Sequence, residues 1–163
     1  MTTNTTTQKK SFFNSDATQK CLAFAGLIIM FIVFSLASEN FFQFSNIVGI
    51  LLATSVNGIL ALGVPFVIIT AGIDLSVGTV MTLAAVMTGM FITNLGLPVW
   101  LGVIGGLATG AFAGFSNGFF IAKMRIPPFI ATLGMLYIAK GLSLVISGVK
   151  PIYFSDTPSF NEI

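Results

Sequence analysis

Forty-eight consecutive residues, Leu75 to Ala122, carry no charge, and they follow directly on a lone acid in Gly72-Ile73-Asp74-Leu75-Ser76-Val77-Gly78. A helix needs about 20 mostly apolar residues to cross the hydrocarbon core of a bilayer, so the run is long enough for two crossings. A soluble domain of this size has no reason to go so far without a charge. An acid set in such material is costly to desolvate and marks a candidate functional group. The pairing of apolar length with one acid points to a membrane protein that moves something.

Composition narrows the function further. Only 7% of the residues are charged and 55% are hydrophobic, against about 25% charged in soluble domains. Water is therefore not the main solvent for this surface. The net charge is +2, and the cations are too scattered for the clustered basic face of a nucleic-acid binder. There is no His and a single cysteine, Cys21, so neither a metal-ligand spacing nor an internal disulfide exists. Catalytic residues, metal ligands and a cofactor site are not expected. The first apolar run starts at Cys21 behind a long polar lead, with no small-residue cleavage site, which does not fit a signal peptide.

The apolar runs and their punctuation predict an all-α, polytopic membrane protein with about five spans. Residues 1–20 are polar and Thr-rich and read as a disordered tail. Residues 21–38 form a first span, closed by Glu39 and Asn40. Residues 44–71 form a second, in which Asn57-Gly58 and Gly63-Val64-Pro65 predict a tilt or kink. Residues 75–94 form a third, followed by the turn Asn94-Leu95-Gly96-Leu97-Pro98. Residues 99–122 form a fourth, ending at Lys123 and Arg125, and Pro127-Pro128 stops any continuation. Residues 129–147 form a fifth, and 148–163 are a polar, extracytoplasmic tail. Cations gather on the cytoplasmic side, so Lys9, Lys10 and Lys20 put the N-terminus inside. Four crossings then bring Lys123 and Arg125 inside as well, and the fifth puts the C-terminal tail outside, with Lys150 the one exception.

Four polar residues are candidates for a solute pathway: Asn57, Asp74, Ser76 and Lys140. Asp74 fits two readings. It can cap the third span by accepting from backbone N–H groups. Alternatively, the flanking Gly72 and Gly78 allow irregular backbone at membrane depth, which is tolerated only inside protein or beside water and is what transport pathways are built from. Thr79 and Thr82 add hydroxyls to the same side. Lys140, well inside the fifth span, either snorkels to an interface or faces a polar cavity. The fourth span carries Gly102, Gly106, Gly110, Gly114 and Gly118 at four-residue steps, a repeat that lets helix backbones approach closely. Four residues advance about 400°, so the stripe drifts by about 40° per step and suits a crossing partner. Packing within the chain, a subunit interface and a sliding surface all fit it.

Two segments resemble the ribose-type sugar permeases of binding-protein-dependent ABC importers. They are Ala61 to Gly89, around Gly-Ile-Asp-Leu-Ser-Val-Gly, and Asn117 to Gly148, around Ile126-Pro127-Pro128-Phe129-Ile130-Ala131-Thr132-Leu133-Gly134. The resemblance covers most of the chain. It implies a membrane subunit that passes a monosaccharide, ATP-binding subunits that drive it, an extracytoplasmic sugar-binding protein that delivers the solute, and a second permease subunit, identical or not. It also implies a bacterial cytoplasmic membrane and ATP hydrolysis in separate subunits. Pro65 stands where the family pattern suggests Thr or a similar residue. Family permeases are about twice as long, and the Gly- and Ala-rich loop that couples them to the ATPase falls in their second half. A fragment, a truncated product or half of a split permease is therefore expected, unable to transport alone. The competing expectation is a non-transporting membrane remnant or helix-packing module. A small secondary carrier is weaker, since in-membrane acids are nearly absent.

Overall fold

The computed structural model describes residues 16–153, and every regular element among them is helical. The order is α1 (Asp16–Ala37), α2 (Phe44–Ile69), α3 (Val77–Thr93), α4 (Val99–Ala122) and α5 (Pro128–Ser147). The tail expected over 1–20 falls outside the described residues up to residue 15. From Asp16 to Lys20 it is the opening of α1 instead. The end of the polar C-terminal tail also lies outside the described residues. Four helices are long and apolar enough to cross a membrane, and α3 is a shorter apolar helix. At 17 residues, α3 measures about 25 Å. It starts two residues later than the apolar run suggests, because Leu75 and Ser76 belong to a turn built by Asp74. Proline does not end α2: the helix continues through Pro65 to Ile69.

The chain divides into two compact units between Asn57 and Gly58. In the first, α1 and the start of α2 are joined by a turn at residues 38–43. Three rings, Phe31, Phe41 and Phe42, meet edge to face there, with centroids 5.1–6.3 Å apart. Asn46 Nδ2 donates to the Phe41 carbonyl at 2.7 Å, and Gln43 Nε2 to Asn40 Oδ1. These bonds hold the turn, while almost all of α1 and α2 stays exposed, as expected of helices solvated by lipid.

In the second unit α3 packs against both α4 and α5. Its neighbours touch it through small residues. The buried positions are Gly102, Gly106, Ala113 and Asn117 on α4, Thr132, Ala139 and Ser143 on α5, and Leu83, Gly89 and Ile92 on α3. Lipid tails are as apolar as leucine, so helices in a bilayer associate through close packing and polar contacts rather than hydrophobic burial. The order of the contacts fixes the directions. A Cβ on Gly102 would strike Ile92, and one on Gly106 would strike Thr88 and approach the Ala84 carbonyl, so α3 and α4 run antiparallel. Ends then pair: the start of α3, the end of α4 and the start of α5 lie together. At the opposite end, Gly148 closes α5 in the left-handed region (φ 61°). The chain beyond it returns to α3, where Ile152 sits over Gly89.

Candidate functional site

The site is built on the break between α2 and α3. Ala71, two residues past the end of α2, has φ 55°, a left-handed conformation that costs a non-glycine residue about 1 kcal/mol or more. Its N–H donates to the Ile68 carbonyl at 2.9 Å and that of Gly72 to Val67 at 3.1 Å, closing the helix. Two residues on, Asp74 Oδ1 accepts from the Ser76 N–H at 2.8 Å and from Ser76 Oγ at 2.6 Å. This is a side-chain turn of the kind Asp favours. Ser76, not Asp74, occupies the N-cap position of α3, and its hydroxyl makes no cap bond. The simple cap expected of Asp74 is therefore replaced by a turn one step upstream. The carboxylate still lies beside the positive end of α3, which favours a negative charge there.

Two further elements hold this break. Asn117 Nδ2, from α4, donates to Ser76 Oγ at 3.0 Å. Thr132 Oγ1, from α5, lies 3.1 Å from the Ile73 carbonyl and 2.8 Å from that of Pro128, donating between them. Ser76 is 1% exposed, Thr132 2% and Asn117 5%. The bonds span 41 and 59 residues of sequence. Asn117 Oδ1 is buried with no hydrogen-bond partner among the described residues, a situation that costs about 1–3 kcal/mol. The segment around Asp74 and the segment around Pro127-Pro128, far apart in the chain, meet at Ile73 and Thr132.

Beside this cluster lies a cleft of about 490 Å³. Phe66 and Val67 of α2, Thr70 in the turn after it, the loop Gly72–Asp74, Asn117 and Ile121 of α4, and Pro128 and Thr132 of α5 are among its walls. Most of that lining is apolar, with the Asp74 carboxylate the single charged group among the described residues. Asp74 forms no ion pair among the described residues.

The other candidates are placed elsewhere. Asn57 is exposed on α2, in the first unit. Lys140 is exposed on α5, eight residues and about 12 Å beyond Thr132, next to the fully buried Ala139. Thr79 and Thr82 bond back to the carbonyls of Ser76 and Gly78 in their own helix. The glycine stripe splits. Gly102 and Gly106 are buried against α3, whereas a Cβ on Gly110, Gly114 or Gly118 would meet nothing within 4 Å. Burial instead continues along Ala113 and Asn117, because two turns take about seven residues and a strict step of four rotates off the face. Gly114 and Gly118 end up on the cleft wall.

Residues 46–160 match the family model described as branched-chain amino acid transport system / permease component. The chain belongs to this permease family. Among curated relatives, the ribose import permease of Bacillus subtilis is 38% identical over 148 residues, covering 90% of this chain and 45% of the relative. The fructose import permease of Rhizobium meliloti is 39% identical over 131 residues, covering 80% and 36%. The L-arabinose transport system permease of Escherichia coli is 38% identical over 132 residues, covering 81% and 40%. This permease chain thus spans less than half the length of these relatives. No solved structure matches it.

Asn117 and Thr132 of this permease escaped sequence reasoning as site residues. One is a single amide in an uncharged helix, and the other lies inside a motif whose prolines read as helix punctuation. An amide with no reason to face lipid was the available signal at Asn117. For Thr132 there was none beyond its place one turn into a helix.

Proposed function

We propose that this permease chain forms part of the membrane subunit of an ATP-driven importer of a monosaccharide in a bacterial cytoplasmic membrane. ATP-binding subunits power it from the cytoplasm, a sugar-binding protein delivers solute from outside, and a second permease subunit stands beside it. The ribose, fructose and arabinose importers among its relatives support the sugar class. The observation that carries the pathway role is the helix break at residues 70–76. Its acid stands in the wall of a cleft, and neighbouring side chains tie it to α4 and α5. Irregular backbone at membrane depth survives only within protein or beside a water-filled cavity, and broken helices are where transporters place their sites. Lys123 and Arg125 follow α4 at this same end, so the cation rule puts the cleft toward the cytoplasm.

The test is uptake of labelled D-ribose, D-fructose and L-arabinose by cells making the complete permease with its ATP-binding subunits and binding protein. Accumulation of at least one sugar that stops on ATP depletion is expected. Asp74→Asn, which keeps an oxygen for the Ser76 turn, should insert at normal levels and lose most uptake. Cells that accumulate none of the three sugars would sink the assignment.

A further inference from the structure

Ser76 Oγ carries one proton and lies between a carboxylate and an amide. The carboxylate takes the proton: the 2.6 Å contact is to Asp74 Oδ1, and hydrogen bonds to ionised acceptors are the shorter and stronger ones. Asn117 must then turn its N–H₂ group toward Oγ, and its own oxygen is left without a partner among the described residues. The orientation of Asn117 is therefore dictated by Asp74, at a cost the fold accepts. Both bonds from Ser76 end on Oδ1, and Oδ2 receives none from any described residue. Asp74 lines the cleft, with Phe66, Val67, Ile121 and Pro128 among the apolar walls.

We infer that the cleft is a solute subsite in which Asp74 Oδ2 accepts from a hydroxyl of a polyhydroxylated solute. Asn117 is the positioning residue that, through Ser76, fixes where that oxygen points. The inference rests on the sugar-importer reading above. The volume of about 490 Å³ falls in the usual range for small-molecule sites, which pair apolar walls with a few placed polar groups. One free carboxylate oxygen suits a donor such as a sugar hydroxyl, and the apolar walls suit the C–H faces of the ring. A divalent cation asks for about six oxygen ligands, and no group of three metal-binding side chains exists among the described residues.

The experiment uses the complete permease with its ATP-binding subunits in nanodiscs, titrated with D-ribose, D-fructose and L-arabinose, alongside thermal midpoints without sugar. Asp74→Asn replaces the free acceptor by a donor, and the apparent Kd for the imported sugar should rise about tenfold with the midpoint held. Asn117→Asp sets two carboxylates against one Ser76 proton and should lower the midpoint and weaken sugar binding. The double variant Asp74→Asn/Asn117→Asp restores one donor and one acceptor around Ser76. Its midpoint should return to near wild type while sugar affinity stays low, a split that a merely structural role would not give. Wild-type sugar affinity in Asp74→Asn, or a double variant no more stable than Asn117→Asp, would overturn the inference. So would a lower sugar-free midpoint in Asp74→Asn, which would mean that the carboxylate holds the fold together rather than standing free for a solute. Sugar uptake by the wild-type importer together with unaltered binding in Asp74→Asn removes the subsite alone. Absence of uptake removes the importer reading and the subsite with it.

Discussion

Gly106 and Gly114 carry the same side chain and meet opposite surroundings. A methyl group on Gly106 would run into Thr88 and the Ala84 carbonyl, while one on Gly114 would meet nothing within 4 Å. Gly106→Ala should therefore destabilise the folded unit by about 1–3 kcal/mol through overpacking. Gly114→Ala should be neutral, or gain up to about 1 kcal/mol from the better helix former. Thermal or denaturant midpoints of the two variants in the same lipid environment check this, and equal losses would place both glycines on one packed face. The stripe is plain in the sequence, but a repeat of four does not say where along it the partner helix departs. The candidate site was legible to the same degree. Asp74 stands out because an acid in apolar sequence is expensive, and Ser76 follows from its neighbourhood. Asn117 and Thr132 do not, because nothing local tells of partners 41 and 59 residues away.

Among the elements, α3 is the one on which the second unit turns. It is the shortest of the five helices, packs against both neighbours, and is held at either end by non-helical chain. Its start is fixed by the turn at Asp74, and near its end Ile152 covers Gly89, whose added Cβ would lie 2.9 Å from Ile152 Cγ2. Gly89→Ala should displace Ile152 and lower stability, and Ile152→Ala should lower it through lost contact. Since the two residues touch, the combined loss should fall short of the sum by about 0.5–3 kcal/mol. Strictly additive losses in thermal midpoint would show that the segment after α5 does not rest on α3. Helix ends were largely readable where proline and glycine punctuate the chain, as at Pro98, Pro127-Pro128 and Gly148. The start of α3 was not, because an apolar Leu75 and a hydroxyl at Ser76 look helical until a side-chain turn claims their backbone.

For the whole molecule the cation distribution makes a prediction about sidedness. With Lys20 and the Lys123–Arg125 pair on the cytoplasmic side, a reporter active only outside the membrane should be silent when fused after Arg125. The same reporter should be active when fused after Lys150, one crossing later. The reverse pattern would invert the orientation and move the cleft to the outer face. Apolar length, the scarcity of charge and the helix punctuation made an all-helical membrane protein of about five hydrophobic helices legible before any coordinates, because a bilayer leaves few ways to satisfy a backbone. The permease family was legible only through the resemblance of two segments, Ala61 to Gly89 and Asn117 to Gly148, to known sequences; no composition or periodicity implies it. Tertiary structure alone decided that these segments touch, that only two of five glycines pack, and that an amide on α4 reaches the serine bound by the acid between α2 and α3. Such contacts depend on how helices rotate and cross. In a membrane the driving force for that is close packing and a few hydrogen bonds. A small-residue repeat marks the packing in the sequence without saying where the partner departs, and single hydrogen bonds leave no periodic mark at all.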